Sequence, residues 1–175
     1  MASQKQAARP GKPAAGQGGG LVGYLATHKF ELSTLLFSLA GLGVSIYMVI
    51  EHYTQNAYAG CPQNATFNCA KVTTSPESVI LGIPVAVLGL AFYLFMTGIN
   101  SPWGWRSKLP AVHWARLASI VVGIVFVLYL VYAELFLINA ICVYCTSVHI
   151  ITFILFALIV VQATLYGVAP KRDAA

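Results

Sequence analysis

The chain has 175 residues, of which 58% are hydrophobic and 9% charged. A soluble domain carries about a quarter charged residues, so the polar surface of a water-soluble bundle is missing and lipid is the expected solvent. The net charge of +5 is not gathered into any basic run, and it reflects orientation in a membrane, not nucleic-acid binding.

Residues 1–30 hold Gly, Ala, Pro, Gln and basic residues. They lack an apolar core followed by a small-residue cleavage site, so they read as a disordered cytoplasmic tail and not as a secretory signal. Four apolar stretches follow, at 32–50, 80–99, 117–137 and 150–168, each near the roughly 20 residues that cross a bilayer. The predicted fold is an all-α integral membrane bundle of four transmembrane helices over residues 31–169, with a loop at 51–79 and a short tail at 170–175. The second span is the weakest, because Gly82 and Pro84 interrupt its start and leave a continuous helix of only about 15 residues.

The basic residues set the orientation. Lys5, Arg9, Lys12 and Lys29 precede span one, Arg106, Lys108 and Arg116 lie around the connection between spans two and three, and Lys171 and Arg172 follow span four. The positive-inside rule puts that side in the cytoplasm with both termini. The expected location is the cell membrane, multi-pass, with the loop after span one and the turn after span three extracytoplasmic. Glu51, Glu77 and Glu134 fall toward that outer face, and Lys71 alone breaks the pattern.

All four cysteines land on the outer side: Cys61 and Cys69 in the first loop, Cys142 and Cys145 where span four starts. Disulfides persist in that compartment, so the pairs are either redox-active or permanent staples. A staple between residues three apart closes almost no loop and gains little stability. A zinc site of four thiolates would need an unusual Cys-x7-Cys half. Redox cycling is therefore the favoured chemistry, with no metal.

Asn139 is a predicted N-cap for span four, which puts Cys142 in the first turn, where free amides and the helix dipole favour a thiolate. Cys145 lies about 4.5 Å deeper along the axis, closer to anything dissolved in the membrane. His149 shares the face of Cys142 and Cys145 and is a candidate hydrogen-bond donor to a quinone carbonyl, or else a histidine satisfied by a neighbouring helix or a small water pocket. In the loop, Ser75, Pro76 and Glu77 predict the capped start of a short apolar half-helix ending near Gly82, covering the Cys-x-x-Cys from above. Phe67 is a candidate for apolar cover.

The order and spacing of CPQNATFNC, AKVTTSPES, GIPVAVLGL and CVYC resemble the vitamin K epoxide reductases and their bacterial homologues, from about span one to span four. In the other bacterial family of quinone-coupled thiol oxidases the Cys-x-x-Cys comes first and the spaced pair second, the reverse of the order here. The resemblance implies a four-helix bundle around a quinone pocket capped by the half-helix, with Cys142 and Cys145 beside the quinone and Cys145 reacting with it. It also implies that Cys61 exchanges with a thioredoxin-like, DsbA-like partner, and that Cys69 relays to Cys142 through a transient disulfide. Ser75 matches the family's loop serine or threonine near the quinone, and Phe67 and His149 complete the expected quinone contacts.

The vertebrate enzymes differ. They have a tyrosine matching His149, an asparagine near Val85 and a longer half-helix, so a bacterial-type quinone (menaquinone, ubiquinone or vitamin K type) is the expected electron acceptor. Many bacterial homologues carry a fused thioredoxin-like domain, and the end of this chain soon after Pro170 implies a separate partner protein. The expected function is a membrane thiol:quinone oxidoreductase that reoxidises that partner and supports disulfide formation in exported proteins. The alternatives are reduction of a quinone epoxide and a non-catalytic scaffold with structural disulfides.

Overall fold

A computed structural model describes residues 19–54, 59–62 and 64–168, with side chains from residue 28 onward. Four main helices pack against one another: α1 (Gly19–Thr54), α3 (Val85–Ile99), α5 (Pro110–Tyr132) and α6 (Val143–Tyr166). Between them lie a one-turn helix α2 (Cys69–Thr73), a two-stranded hairpin of β1 (Val79–Ile80) and β2 (Ile83–Pro84), and a short helix α4 (Pro102–Arg106). Three segments are long and apolar enough to cross a membrane: His28–Thr54, Pro110–Ile138 and Val143–Tyr166, with mean hydropathies of 1.9, 2.6 and 2.4. Helix α3 has 15 residues and spans about 22 Å by helix rise, short of a hydrocarbon core of about 30 Å.

Helix α1 packs through a stripe of small and hydroxylated residues, Thr34, Ser38, Gly41 and Ser45, which alternate at three- and four-residue steps and are all buried. Small side chains let helix backbones approach closely in lipid, where packing and hydrogen bonds take over from the hydrophobic effect. Gly41 lies under the Tyr93 ring of α3, in space that any larger residue would need. The Tyr93 hydroxyl in turn bonds the Thr152 hydroxyl at 2.8 Å and the Val148 carbonyl at 3.0 Å, tying α3 to α6. At the other end of the bundle, Asn100 Nδ2 donates to Ser38 Oγ at 3.0 Å. Beside it, Arg116 donates to Ile99 O at 2.7 Å and stacks 3.9 Å from the Trp105 ring. The last carbonyl of α3, Ile99 O, is thereby satisfied by a side chain.

The boundaries differ from expectation in physically informative ways. Helix α1 already includes 19–30, the later part of the expected tail; residues 1–18 and the expected tail at 170–175 lie outside the described residues. Helix α3 starts at Val85, with Pro84 at the N-cap position, and its 15 residues are the length expected once Gly82 and Pro84 interrupt the 80–99 stretch. Helix α6 starts at Val143, three residues later than a cap at Asn139 would start it.

The half-helix is replaced. A single 3-10 turn, Pro76–Ser78, gives way to the hairpin. Val79, Ile80 and Ile83 are β-branched and favour strands, and Leu81 and Gly82 both take positive φ, 53° and 81°, at its tip. That is the backbone of a tight hairpin turn, which a helix cannot cross.

Candidate functional site

The first loop is built to hold its cysteines against the start of α6. Asn64 Oδ1 accepts from the amides of Thr66 and Phe67 at 3.0 and 2.7 Å, closing a local turn. Asn68 then caps α2, its side chain accepting from Lys71 N at 2.9 Å. Between these turns Phe67 pairs in parallel with Ile141, with Ile141 N donating to Thr66 O at 2.8 Å and Asn68 N to Ile141 O at 3.1 Å. This bridge lays Phe67, two residues before Cys69, beside Ile141, the residue before Cys142. On the loop's far side Tyr47 and Tyr144, ring centroids 4.9 Å apart, bond the amide and carbonyl of Ala59, fixing the approach to Cys61.

Cys61 and Cys69 form a disulfide, and Cys142 and Cys145 are free thiols. Cys61, Cys69 and Cys142 belong to one buried cluster with Val72, Ile138 and Ala140, and Cys145 packs at its edge. The two pairs thus share one apolar environment across the loop-to-helix bridge.

Cys142, and not Asn139, is the N-cap of α6: its sulfur accepts from Cys145 N at 3.2 Å. Asn139 instead ends the preceding helix in a left-handed conformation, φ 51°. Asparagine is one of the few side-chain-bearing residues that adopt that conformation readily, so the better intrinsic cap is used up stopping α5. The electrostatic expectation for Cys142 holds by a different route. A hydrogen bond from the Cys145 thiol, helped by the amides of Cys145 and Tyr144, holds the Cys142 thiol below its ordinary value against the opposing push of burial.

Cys145 lines a cavity of about 270 Å³ between the four main helices. Its walls are almost entirely apolar, with Phe92, Phe126, Val127 and Leu130 on α3 and α5, and Thr152 and His149 on α6 among the few polar groups. His149 is 5% exposed and makes no hydrogen bond among the described residues, so its ring nitrogens have only the cavity to address. A second, narrower cavity of about 40 Å³ adjoins Cys145 and His149 and reaches His52, Glu77 and Ser78.

Of the expected quinone contacts, the structure brings His149 to the cavity with Cys145 and keeps Ser75 and Phe67 off both cavities. The Ser75 hydroxyl is turned back to Val72 O at 2.9 Å, and Phe67 is on the outside of the loop, 38% exposed. Thr73 and Ser78 from the same segment line the narrow cavity instead. Sequence reasoning passed over Glu134, which it used only for orientation. That residue is 6% exposed and lines the narrow cavity with Cys145 and His149. A lone carboxylate in an apolar run was the available signal, since such groups are expensive in lipid and mark function. No group of three or more His, Cys, Asp or Glu among the described residues is arranged to hold a metal ion.

Membrane-length helices, a loop disulfide stacked on a free Cys-x-x-Cys, and an apolar cavity at the second of those thiols define a multi-pass membrane thiol oxidoreductase. Residues 32–160 match the sequence model of the Vitamin K epoxide reductase family, and the chain belongs to that family. Among curated proteins no relative matches it. The family is one of membrane oxidoreductases that couple thiols to quinones.

Proposed function

We propose that this protein reoxidises a separate DsbA-like dithiol protein and reduces a membrane quinone, so that disulfides form in exported proteins. The observation that carries the reading is the position of Cys145: it opens onto the apolar cavity, while Cys142, one turn earlier, is buried with the Cys61–Cys69 disulfide. Electrons entering at the loop disulfide have a packed route to the cavity.

In this reading the partner's thiolate attacks Cys61, and the freed Cys69 thiolate attacks Cys142 of an oxidised Cys142–Cys145 pair. The partner's second thiol displaces Cys61 and leaves as the oxidised partner, and the freed Cys61 thiolate then attacks Cys69 of the transient Cys69–Cys142 bond, which restores the loop disulfide and leaves Cys142 and Cys145 reduced. That pair then gives two electrons to the quinone. Overall, two partner thiols become a disulfide and one quinone becomes a quinol. A DsbA-like dithiol sits near −120 mV, so the sink must lie at higher potential, as a quinone does. His149 is the assigned donor to a quinone carbonyl, and a cavity of about 270 Å³ suits a ring whose tail runs out into lipid.

By the positive-inside rule the cysteine end faces away from the cytoplasm and residues 31–169 form the membrane domain. Helix α3 then counts as the fourth span, with the hairpin making up its length at that face. The test is quinol formation by purified protein in nanodiscs with a reduced DsbA-like protein and a short-chain ubiquinone or menaquinone. Wild type should turn over, and Cys145→Ala should stop and accumulate the Cys69–Cys142 disulfide, formed by attack of the Cys142 thiolate on Cys69 of the loop disulfide and left without a Cys145 thiol to displace it. Full activity in Cys145→Ala, or no quinol from wild type, sinks the reading.

A further inference from the structure

We propose that Glu134 is the proton acceptor and donor for Cys145, and that the narrow cavity beside it carries that proton to and from the aqueous edge of the bundle. The proposal rests on the Cys142–Cys145 pair being redox-active, as argued above, and assigns it a catalytic carboxylate.

The geometry is specific. Glu134 lies within the apolar segment Pro110–Ile138, where α5 continues as a π-helical turn, Ala133–Ile138. The amides of Asn139 and Ala140 both converge on the Glu134 carbonyl, the latter at 3.2 Å, which pins the backbone at this residue. Turns of this kind inside α-helices are frequent at functional sites. The carboxylate has no ion pair with Lys or Arg among the described residues. It lines the narrow cavity together with Cys145 and His149. A buried carboxylate that shares a small cavity with a reactive thiol and has no cation to hold it is placed to exchange a proton with that thiol.

The cavity supplies the other half. Glu134, Cys145, His149, Ser78, His52 and Glu77 all line it. Its volume of about 40 Å³ has room for at least one water, which needs roughly 10–15 Å³ on this measure and two to four polar partners. His52 and Glu77 are half-buried on the same cavity, so a water held there would link Glu134 to groups that reach solvent. The titratable groups facing this space are Cys142, Cys145 and His149 from α6, His52 from α1 and Glu77 from the 3-10 turn.

The chemistry balances in both directions. On oxidation, the Cys145 S–H bond breaks and its proton goes to the Glu134 carboxylate. The pair then loses two electrons and forms the Cys142–Cys145 bond, while the quinone gains two electrons and two protons. One proton comes from Glu134; the other enters from the aqueous edge, replacing the proton that Cys142 released on ionising. On reduction by an added dithiol, a thiolate attacks Cys142, the S–S bond breaks, and the electron pair left on Cys145 takes its proton back from Glu134.

The test uses the reductive direction, which needs no quinone. The full chain with Cys61→Ala and Cys69→Ala is oxidised to the Cys142–Cys145 disulfide, and its reduction by dithiothreitol is followed by alkylation and mass spectrometry between about pH 5 and pH 9. With Glu134 intact, the rate should carry an ionisation beyond that of dithiothreitol. In E134Q the rate near neutral pH should fall about 100-fold, the low end of general acid–base effects, leaving only the reagent's ionisation. E134D should keep the second ionisation, and formate should partly restore E134A. An E134Q that matches the Glu134 protein in rate and profile overturns the proposal. So does an E134Q that is slower with the profile unchanged, because a positioning role alone gives that result. Failure of wild type to form quinol would remove the quinone acceptor and leave this measurement standing.

Discussion

Replacing Gly123 by alanine adds one methyl group to the cavity wall where α5 packs closely on Phe92. A Cβ there would lie 2.8 and 2.9 Å from Cζ and Cε2 of Phe92, and 3.6 Å from Thr152 Cγ2. Carbon atoms pack at about 3.5–4.0 Å, so the Phe92 ring must retreat by roughly 1 Å while Thr152 need not move. Phe92 already lines the cavity of about 270 Å³, and the cavity is the adjoining free space. The structure therefore predicts two coupled losses: about 1–3 kcal/mol of stability from overpacking, and a smaller quinone site. A loss of about 1.4 kcal/mol in quinone binding raises KM tenfold, while reduction of Cys142–Cys145 by dithiothreitol stays at the wild-type rate. The assay is a double-mutant cycle with Phe92→Ala, scored by melting temperature and quinone KM, since neighbours that clash give non-additive energies. Gly123→Ala should cost little once Phe92 is gone. Additive costs, or an unchanged quinone KM, would refute the reasoning.

Cys142 and Arg116 give two further expectations, at opposite ends of the bundle. Because the hydrogen bond from the Cys145 thiol is the main cause holding Cys142 below its ordinary value, ultraviolet titration of the thiolate should move to higher pH in Cys145→Ala and stay near wild type in Cys145→Ser, which keeps a donor. A depressed thiol contributes stability above its free-state range and loses it as pH falls through the lowered value, so acid should destabilise the cysteine end more in wild type than in Cys142→Ala. At the other end, Arg116→Ala leaves Ile99 O without its donor and Trp105 without its cation. The expected cost is about 2 kcal/mol, read as a lower melting temperature with thiol chemistry intact; an unchanged melting temperature would show that water fills the place of the guanidinium.

Much of the site was legible because it is written in local patterns. Composition required lipid, and the order of the cysteine motifs identified the family. The small-residue face of α1 has helical spacing. Three things were hidden, each for a physical reason. Asn139 is a strong N-cap by type, yet the same side chain tolerates a left-handed backbone, and tertiary geometry used it to end a π turn. The 75–82 segment begins with helix signals, but Val79, Ile80 and Ile83 favour strands, and local propensity could not rank the two before the Leu81–Gly82 turn was seen. Glu134 looked like an acid near the outer face because its burial depends on contacts with α6 and the 3-10 turn, distant in sequence or made across a helix end. Ser75 and Phe67 fail as cavity residues for a similar reason, since a loop residue's direction is set by the bridge to Ile141 and by the turn at Asn64.

The Phe67–Ile141 bridge does more than hold a loop. A Cys-x-x-Cys at a helix start has one sulfur at the cap and one a turn inside, so its two thiols necessarily meet different surroundings. Here the cap sulfur, on Cys142, meets the loop disulfide, and the inner one, on Cys145, meets the apolar cavity and Glu134. In the proposed electron route, the reverse assignment would put the thiol that exchanges with Cys69 against the apolar cavity, and the thiol that reaches the quinone under the loop. The parallel bridge excludes it: Phe67 lies two residues before Cys69 and Ile141 one before Cys142, so Cys69 and Cys142 are the pair brought into one buried cluster. In this arrangement the order of the motifs along the chain, the depth of each thiol and the side from which each is approached all follow from where α6 begins.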